Sequence, residues 1–177
     1  MKEYNTRKPN RLPQRDYSLP GYYYLTICTE DRKEWFGIID DNQMVLNNIG
    51  KICCDCLQNL PNYYSNTECN SYIIMPNHIH TIVIIDNFDN RYNEIIEGGL
   101  QTLPYRNMVS NNKTYSLSEI VRGFKTFSSK QINKIINNGM KFKWQRSFYD
   151  HIIRNDESLD NIRQYINNNP GNWVDDK

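Results

Sequence analysis

Two histidines separated by one residue, His78 and His80, lie in the apolar segment IIMPNHIHTIVII of residues 73–85. Side chains alternate along a β-strand, so both imidazoles would lie on one face of a sheet, about 6.5–7 Å apart along the backbone. Two imidazoles placed in this way can bind one metal ion and leave positions open for a third ligand and for substrate oxygens. The pair therefore predicts a metal site, although it does not by itself indicate a substrate.

Two other roles for the pair remain open at this point. Histidines near the edge of a sheet can simply satisfy hydrogen bonds. His-x-His pairs also occur in metal enzymes that act on small molecules, so the motif alone does not indicate a nucleic-acid substrate. Residues elsewhere in the chain have to decide between these alternatives.

Residues 155–170, NDESLDNIRQYINNNP, predict a helix that could supply partners for the histidines. Asn155 is a suitable N-cap residue, and acidic residues follow it in the first turn, where the helix dipole favours them. Pro170 is expected to end the helix. At 100° per residue, the apolar side chains fall on one stripe, which would pack against the core. They are Leu159, Ile162 and Ile166.

Tyr165 lies beside this apolar stripe, and Asn169 lies one helical turn later on the same edge. If the helix packs on the histidine face, the Asn169 amide could be a third metal ligand and the Tyr165 phenol a nucleophile. Ordinary amphipathic packing is the alternative for Tyr165, because the chain has 13 tyrosines. Asn169 precedes Pro170, which disfavours a helical backbone at that residue.

The net charge of +1 conceals a strong segregation of charge. Residues 113–146 contain eight basic residues and one acid, Glu119, which gives this segment a net charge of +7. Residues 1–16 form a second basic segment, which is interrupted by prolines and predicts an extended arm. Such segregation is typical of a site for nucleic acid or another polyanion, and a solvated helix face is the alternative.

The elements that must position these residues alternate between strands and helices. Strands are predicted at residues 22–29, 69–75 and 78–85, and the last two would form a hairpin around Pro76 and Asn77. A helix is predicted from residue 48 to residue 60, ended by Pro61. A second helix opens with a capping box from Ser116 to Glu119. Its predicted core-facing residues are Ile120, Phe124, Phe127 and Ile135.

This pattern predicts one α+β domain with an antiparallel sheet, spanning residues 17–177, with a loop or insertion at residues 86–115. No apolar run approaches the roughly 20 residues needed to span a bilayer. The five cysteines are an odd number in a chain whose charged N-terminus does not resemble a signal peptide. We therefore expect reduced thiols, a cytoplasmic location and no membrane partner.

Five segments in the same order together resemble the REP-associated tyrosine transposases, within the single-tyrosine HUH (His-hydrophobic-His) transposase superfamily. The resemblance covers nearly the full length. The segments are RLPQRDYSLPGYYYLTICT (residues 11–29), YIIMPNHIHTIVI (72–84), LSEIVRGFKTFSSKQIN (117–133), WQRSFYDHIIRN (144–155) and IRQYINNNP (162–170).

The resemblance implies a ferredoxin-like or RRM-like antiparallel β-sheet with helices packed on one face. It implies that His78, His80 and Asn169 bind Mg²⁺ or Mn²⁺ and that Tyr165 is the nucleophile. The implied activity is cleavage and transfer of single-stranded DNA at palindromic hairpin repeats. The tyrosine would become linked to the 5′-phosphate, and a free 3′-hydroxyl would be left. A non-catalytic descendant that only binds hairpin DNA is the alternative, and the protein would be a monomer or a homodimer.

Basic residues near the implied site are the candidates for contacts with DNA phosphates, and such binding would depend strongly on salt. They are Arg11 and Arg15 in the arm, Arg122, Lys125, Lys130, Lys143 and Arg146 in the basic segment, and Arg154 shortly after it.

Overall fold

The main sheet has four antiparallel strands, in the spatial order Thr67–Met75, His78–Ile85, Gly21–Cys28 and Tyr149–Ile153. The computed structural model describes residues 16–86, 113–136 and 139–176. The predicted arm and nearly all of the predicted loop at 86–115 lie outside these residues. In chain order the elements are β1 (Gly21–Cys28), β2 (Gly37–Asp40), β3 (Gln43–Leu46), α1 (Asn48–Gln58), α2 (Leu60–Tyr63), β4 (Thr67–Met75), β5 (His78–Ile85), α3 (Leu117–Ile135), β6 (Tyr149–Ile153) and α4 (Asp156–Asn168), followed by a 3-10 helix at Asn169–Asp176.

The topology is that of a ferredoxin-like fold. When the small β2–β3 hairpin is set aside, the chain runs β1-α1-β4-β5-α3-β6, which is the β-α-β-β-α-β order of that fold. β1 pairs with β5 on one side and with β6 on the other, and β4 pairs with β5 at its outer edge. The predicted α+β class and antiparallel sheet are confirmed.

The two faces of the sheet are covered by different helices. On one face, alternate residues of β1 and β5, such as Leu25 and Ile79, pack with α1 and α3 in the main core. On the opposite face, Ile82 of β5 packs with Leu159 and Ile166 of α4 in a second, smaller core. Helices α1 and α3 thus occupy one face as predicted, and α4 is added on the other.

Helix α3 begins where the sequence predicts, but two of its predicted core residues are exposed. The Ser116 side chain and the Glu119 side chain form the capping box. Ile120 and Phe124 are buried as predicted, whereas Phe127 is 39% and Ile135 44% exposed. The buried stripe continues instead through every fourth residue, Ser128 and Ile132, which leaves Phe127 on the edge of the helix and Ile135 at its end. Those two predictions are wrong.

Pro61 does not mark the end of helical structure. Helix α1 ends at Gln58, and Pro61 lies in the first turn of the short helix α2, where its missing N–H costs nothing. Helix α2, the β2–β3 hairpin, the edge strand β6 and the 3-10 helix after α4 were not predicted from the sequence. The hairpin turns through Asp41 and Asn42, both with positive φ, as a two-residue turn requires.

Gly50 of α1 provides a test of this packing. A Cβ atom at Gly50 would lie 2.2 Å from the carbonyl oxygen of Phe36. Although alanine favours a helix by about 1 kcal/mol over glycine, we expect Gly50→Ala to lower the free energy of unfolding by about 2 kcal/mol. Urea unfolding measures this. Gly171→Ala is the control, because nothing lies within 4 Å of a Cβ there, and an equal loss in both variants would contradict the packing.

Candidate active site

Strand β5 places both histidines inside the protein. The turn at Pro76 and Asn77 reverses the chain, so that β5 begins at His78 and runs between β4 and β1. His78 is fully buried, and His80 is 4% exposed. Alternation along β5 places both imidazoles on the face that carries Ile82, which is the face covered by α4. The predicted shared face is confirmed.

The two imidazoles meet through their Nε2 atoms, which are 3.0 Å apart. The Nδ1 atom of His78 lies 2.7 Å from the Oδ1 atom of Asn77. An amide oxygen only accepts hydrogen bonds, so Nδ1 of His78 donates and its Nε2 presents a lone pair toward His80. The backbone turn residue Asn77 thereby determines the tautomer of His78.

The outer nitrogen of His80 faces two hydroxyl groups. Its Nδ1 atom lies 2.7 Å from the Tyr24 hydroxyl and 3.0 Å from the Thr26 hydroxyl. A hydroxyl can donate or accept, so both tautomers of His80 are satisfied at Nδ1. In one, Nε2–H of His80 donates to Nε2 of His78; in the other, both Nε2 atoms present lone pairs to the same point. The first arrangement satisfies the pair by itself, whereas the second leaves two acceptors facing each other and needs a cation between them.

Burial keeps both imidazoles uncharged at neutral pH. Burial, with a smaller contribution from the positive charge of Arg32, lowers the pKa of His78 to about 4. Burial, then the neighbouring His78, then Arg32 lower the pKa of His80 to about 3. Neutral imidazole is the form that binds metal ions. At neutral pH the pair is thus in the form that a metal site requires.

Helix α4 brings Tyr165 to the pair. Its apolar residues Leu159 and Ile166 are buried against Ile82 and Ile153 of the sheet. On the adjacent edge of the helix, the Tyr165 ring packs edge-on against His80, with ring centroids 5.3 Å apart. Tyr165 is nevertheless 44% exposed. The helix therefore presents a solvent-accessible phenol next to a buried imidazole.

Asn169 is buried one turn beyond Tyr165. Its backbone is helical, with φ −58° and ψ −39°, so the expectation that Pro170 disfavours this conformation is wrong here. Pro170 does end the α-helix, since a 3-10 helix follows. Asn169 is 2% exposed, and its Oδ1 atom has no hydrogen-bond partner among the residues that the structure describes. A buried amide oxygen without a partner costs about 1–3 kcal/mol, which is unusual in a native site without a ligand.

Trp173 completes the enclosure of the pair. Its ring stacks on His78, with centroids 6.0 Å apart and planes 30° from parallel. Asn169 lies four residues after Tyr165 and four before Trp173, and these two rings contact His80 and His78 respectively. The segment from Tyr165 to Trp173 thus contacts both histidines, with Tyr165 against His80 and Trp173 against His78.

A cleft of about 1080 Å³ opens next to Tyr165 and His80. Strand β1 forms one wall, helix α3 another, and residues 145–149 a third. The cleft is strongly basic. Its charged lining residues are Arg32, Arg122, Lys125 and Arg146.

Two proteins of Haemophilus influenzae are related to the chain in sequence. One, of uncharacterised function, is 33% identical over 97% of this chain and 92% of the relative. The other carries the provisional description of a REP-associated tyrosine transposase and is 26% identical over 89% of this chain and 74% of the relative. A solved structure of a REP-associated tyrosine transposase bound to a REP hairpin has the same fold, with a TM-score of 0.55 and 17% identity, over 92% of this chain and 74% of the other.

The family described as "Transposase IS200 like" matches residues 88–169, a range that contains α3, β6, Tyr165 and Asn169. This part of the chain, just under half of its length, is thus similar to the IS200-like transposases. The histidine pair lies before the matched range, so its place in the site rests on the geometry above. None of the helices that the structure describes is long and apolar enough to cross a membrane.

The structure separates the predicted DNA-binding residues of this protein into groups. Arg122, Lys125 and Arg146 line the cleft, whereas Lys130 and Arg154 are exposed outside its lining. Lys143 forms an ion pair with Glu30, at 3.3 Å. Arg11 and Arg15 lie outside the described residues.

Lys125 also has a structural role. Its ammonium donates hydrogen bonds to the carbonyl oxygens of Gln145 and Ser147, at 2.9 and 2.7 Å. It also lies 5.6 Å from the centroid of the Phe148 ring. Lys125 therefore fixes residues 145–148, which form one wall of the cleft, to helix α3.

Five residues of the site were not predicted from the sequence: Tyr24, Thr26, Arg32, Asn77 and Trp173. Asn77 could have been inferred, because it immediately precedes the histidine that it orients. Tyr24, Thr26 and Arg32 lie about 50 residues earlier in the chain. They reach the site only because β1 pairs with β5, and Thr26 lies directly opposite His80 in that pairing.

The role of Lys125 predicts a loss of stability on substitution. Lys125→Met keeps the length of the side chain and removes the donor for two carbonyl oxygens, so we expect the free energy of unfolding to fall by about 1–2 kcal/mol. Urea unfolding is the measurement. Lys130→Met is the matched control on the exposed side of α3 and should change stability by less than about 0.5 kcal/mol. Equal stabilities of the two variants would contradict the role.

Proposed function

We propose that this protein cleaves and rejoins single-stranded DNA at hairpin repeats through a covalent bond between Tyr165 and a 5′-phosphate. The observation that carries the proposal is the contact between the exposed phenol of Tyr165 and the buried imidazole of His80. The contact lies at a basic cleft large enough for a nucleotide. In the related structure the transposase is bound to a REP hairpin, which supports a DNA partner.

His78, His80 and Asn169 would hold Mg²⁺ or Mn²⁺. The Nε2 atoms of the pair are 3.0 Å apart, and adjacent ligands of an octahedral ion with bonds of about 2.1 Å are also ~3 Å apart. Among the described residues, no group of three or more His, Cys, Asp or Glu side chains is placed so that it could bind a metal ion. The buried, unpartnered Oδ1 of Asn169 fits the remaining position by its chemistry. When bound, such an ion polarises the phosphate and offsets its developing negative charge.

The reaction itself would proceed at Tyr165. The phenol oxygen forms a bond to phosphorus, and its proton passes to water in the open cleft. The bond from phosphorus to the neighbouring 3′-oxygen breaks, and this oxygen takes a proton from water to leave a free 3′-hydroxyl. Reversal with another 3′-hydroxyl rejoins strands, because the phosphotyrosine bond conserves the energy of the phosphodiester.

The other cleft residues would bind and orient the strand. Arg122 and Arg146 would contact phosphates, and such contacts make the affinity depend on salt. The Tyr149 ring is 54% exposed in the lining of the same cleft and is available for stacking on a base. The Tyr24 hydroxyl stays protonated, because burial raises the pKa of Tyr24 above its usual range. Tyr24 would therefore orient His80 rather than attack.

The nucleophile can be tested with end-labelled hairpin DNA and Mn²⁺. We expect a protein–DNA adduct that survives denaturation, and we expect Tyr165→Phe to abolish it, since phenylalanine has no oxygen to bond to phosphorus. Tyr149→Phe makes the same chemical change in the same cleft and should still form adduct. Adduct formation by Tyr165→Phe would show that another residue attacks. Binding by the wild-type protein without any adduct would favour the non-catalytic alternative.

Asn169→Leu separates a metal ligand from a structural residue. Replacement of a buried amide whose oxygen has no partner among the described residues by an apolar side chain of similar volume should leave the metal-free protein about as stable. If Asn169 is a ligand, the same change should weaken Mn²⁺ binding by about tenfold or more. Stacking of Trp173 on His78 provides the signal, because a bound paramagnetic ion quenches nearby tryptophan fluorescence. Unchanged Mn²⁺ affinity together with lost stability would assign Asn169 a purely structural role.

A further inference from the structure

The segment of residues 29–33, which follows β1, is fixed to the turn that orients His78. The Thr29 N–H and hydroxyl both donate to the carbonyl oxygen of Asn77, each at 2.9 Å. The side chain of the same Asn77 accepts from His78. Thr29 is fully buried, and its backbone pairs with that of Trp144 in an isolated antiparallel β-bridge. The segment therefore has a defined position relative to the histidine pair.

A second set of contacts fixes the far side of this segment. The Glu30 N–H donates to the carbonyl oxygen of Lys143, at 3.0 Å, and the two side chains form an ion pair. The Thr29 hydroxyl also lies 2.8 Å from the carbonyl oxygen of Lys33, so its single proton is shared between the two carbonyl oxygens and closes the turn. Between these anchors the chain has little freedom at residues 31 and 32.

Asp31 and Arg32 both adopt the left-handed conformation, with φ of 55° and 54°. For residues other than glycine this conformation costs roughly 1–2 kcal/mol each. Strained backbone of this kind persists where the surroundings impose it, and it is concentrated at functional sites. Here its consequence is that the Arg32 side chain joins His80 and Tyr165 in the lining of the cleft.

The Arg32 side chain is available to a ligand. Among the residues that the structure describes, its guanidinium forms no ion pair or hydrogen bond, and the nearby carboxylate of Glu30 is paired with Lys143. The side chain is exposed at the cleft.

We propose that Arg32 is a further catalytic residue, whose guanidinium binds the non-bridging oxygens of the phosphate that Tyr165 attacks. This inference rests on the proposed function. A guanidinium presents paired donors that match two phosphate oxygens, and it stays charged at every pH of interest. Negative charge grows on these oxygens as the phenol attacks, so the contact becomes stronger in the transition state than with bound DNA.

The test is single-turnover cleavage of labelled hairpin DNA by the full chain at saturating protein, with affinity measured separately. We expect Arg32→Gln to lower the rate constant about 100-fold or more while the dissociation constant changes by less than about tenfold. Arg32→Lys keeps the charge without the paired donors and should recover part of the rate. Lys51→Gln is the control: it removes one exposed positive charge on α1, on the opposite face of the sheet, and should match the wild type.

A binding measurement shows whether the residue touches phosphate at all. Removal of one phosphate contact to single-stranded DNA should reduce the slope of log affinity against log salt by about 0.7. If Arg32→Gln cleaves at the wild-type rate, the assignment of Arg32 to the attacked phosphate is overturned. This holds whether or not the slope of log affinity against log salt changes. The proposed function would stand in that case if Tyr165→Phe still abolished the adduct. Loss of rate in Lys51→Gln equal to that in Arg32→Gln would also overturn it.

Discussion

The packing of helix α4 on the histidine face of the sheet is the interaction on which the rest of the site depends. Leu159 and Ile166 are buried against Ile82 and Ile153, and each buried side chain of this size contributes roughly 1.5–3 kcal/mol. Ile82 lies on the same face of β5 as both histidines, so the apolar contact also sets the distance from the helix to the imidazoles. This contact fixes the position of α4, and it therefore also fixes the helix edge that carries Tyr165.

The chemistry of the pair follows from its burial in that interface. Water cannot stabilise a charged imidazole there, so both side chains stay neutral, and their remaining nitrogens are directed by neighbouring groups. Asn77 holds His78, and the hydroxyls of Tyr24 and Thr26 hold His80. Second partners of this kind fix the orientation of metal-binding histidines in general. The same burial leaves Tyr165 at the rim of the interface, where a strand of DNA can reach it.

Local patterns in the sequence account for the parts of the site that lie within one element. Alternation along β5 predicts the shared face of His78 and His80, and the helical repeat predicts the apolar side of α4. Such patterns do not predict contacts between elements. Thr26 pairs with His80, and Lys125 donates hydrogen bonds to residues 145 and 147, so both sets of contacts join segments that are distant in the chain. Strand β6 was missed because five residues at a sheet edge give almost no periodicity. The left-handed backbone at Arg32 has no signal in the sequence, since arginine does not favour it.

We propose that the C-cap of α4 brings the Asn169 amide to the histidine pair, so that three side chains would share one ion. Anomalous diffraction from crystals grown with Mn²⁺ measures this directly. We expect one strong peak, bonded to the Nε2 atoms of His78 and His80 and to the Oδ1 atom of Asn169, with the Tyr165 hydroxyl facing the same open side. No peak at the histidines in crystals that hold Mn²⁺ elsewhere would contradict the account, as would a peak there with the Asn169 oxygen turned away.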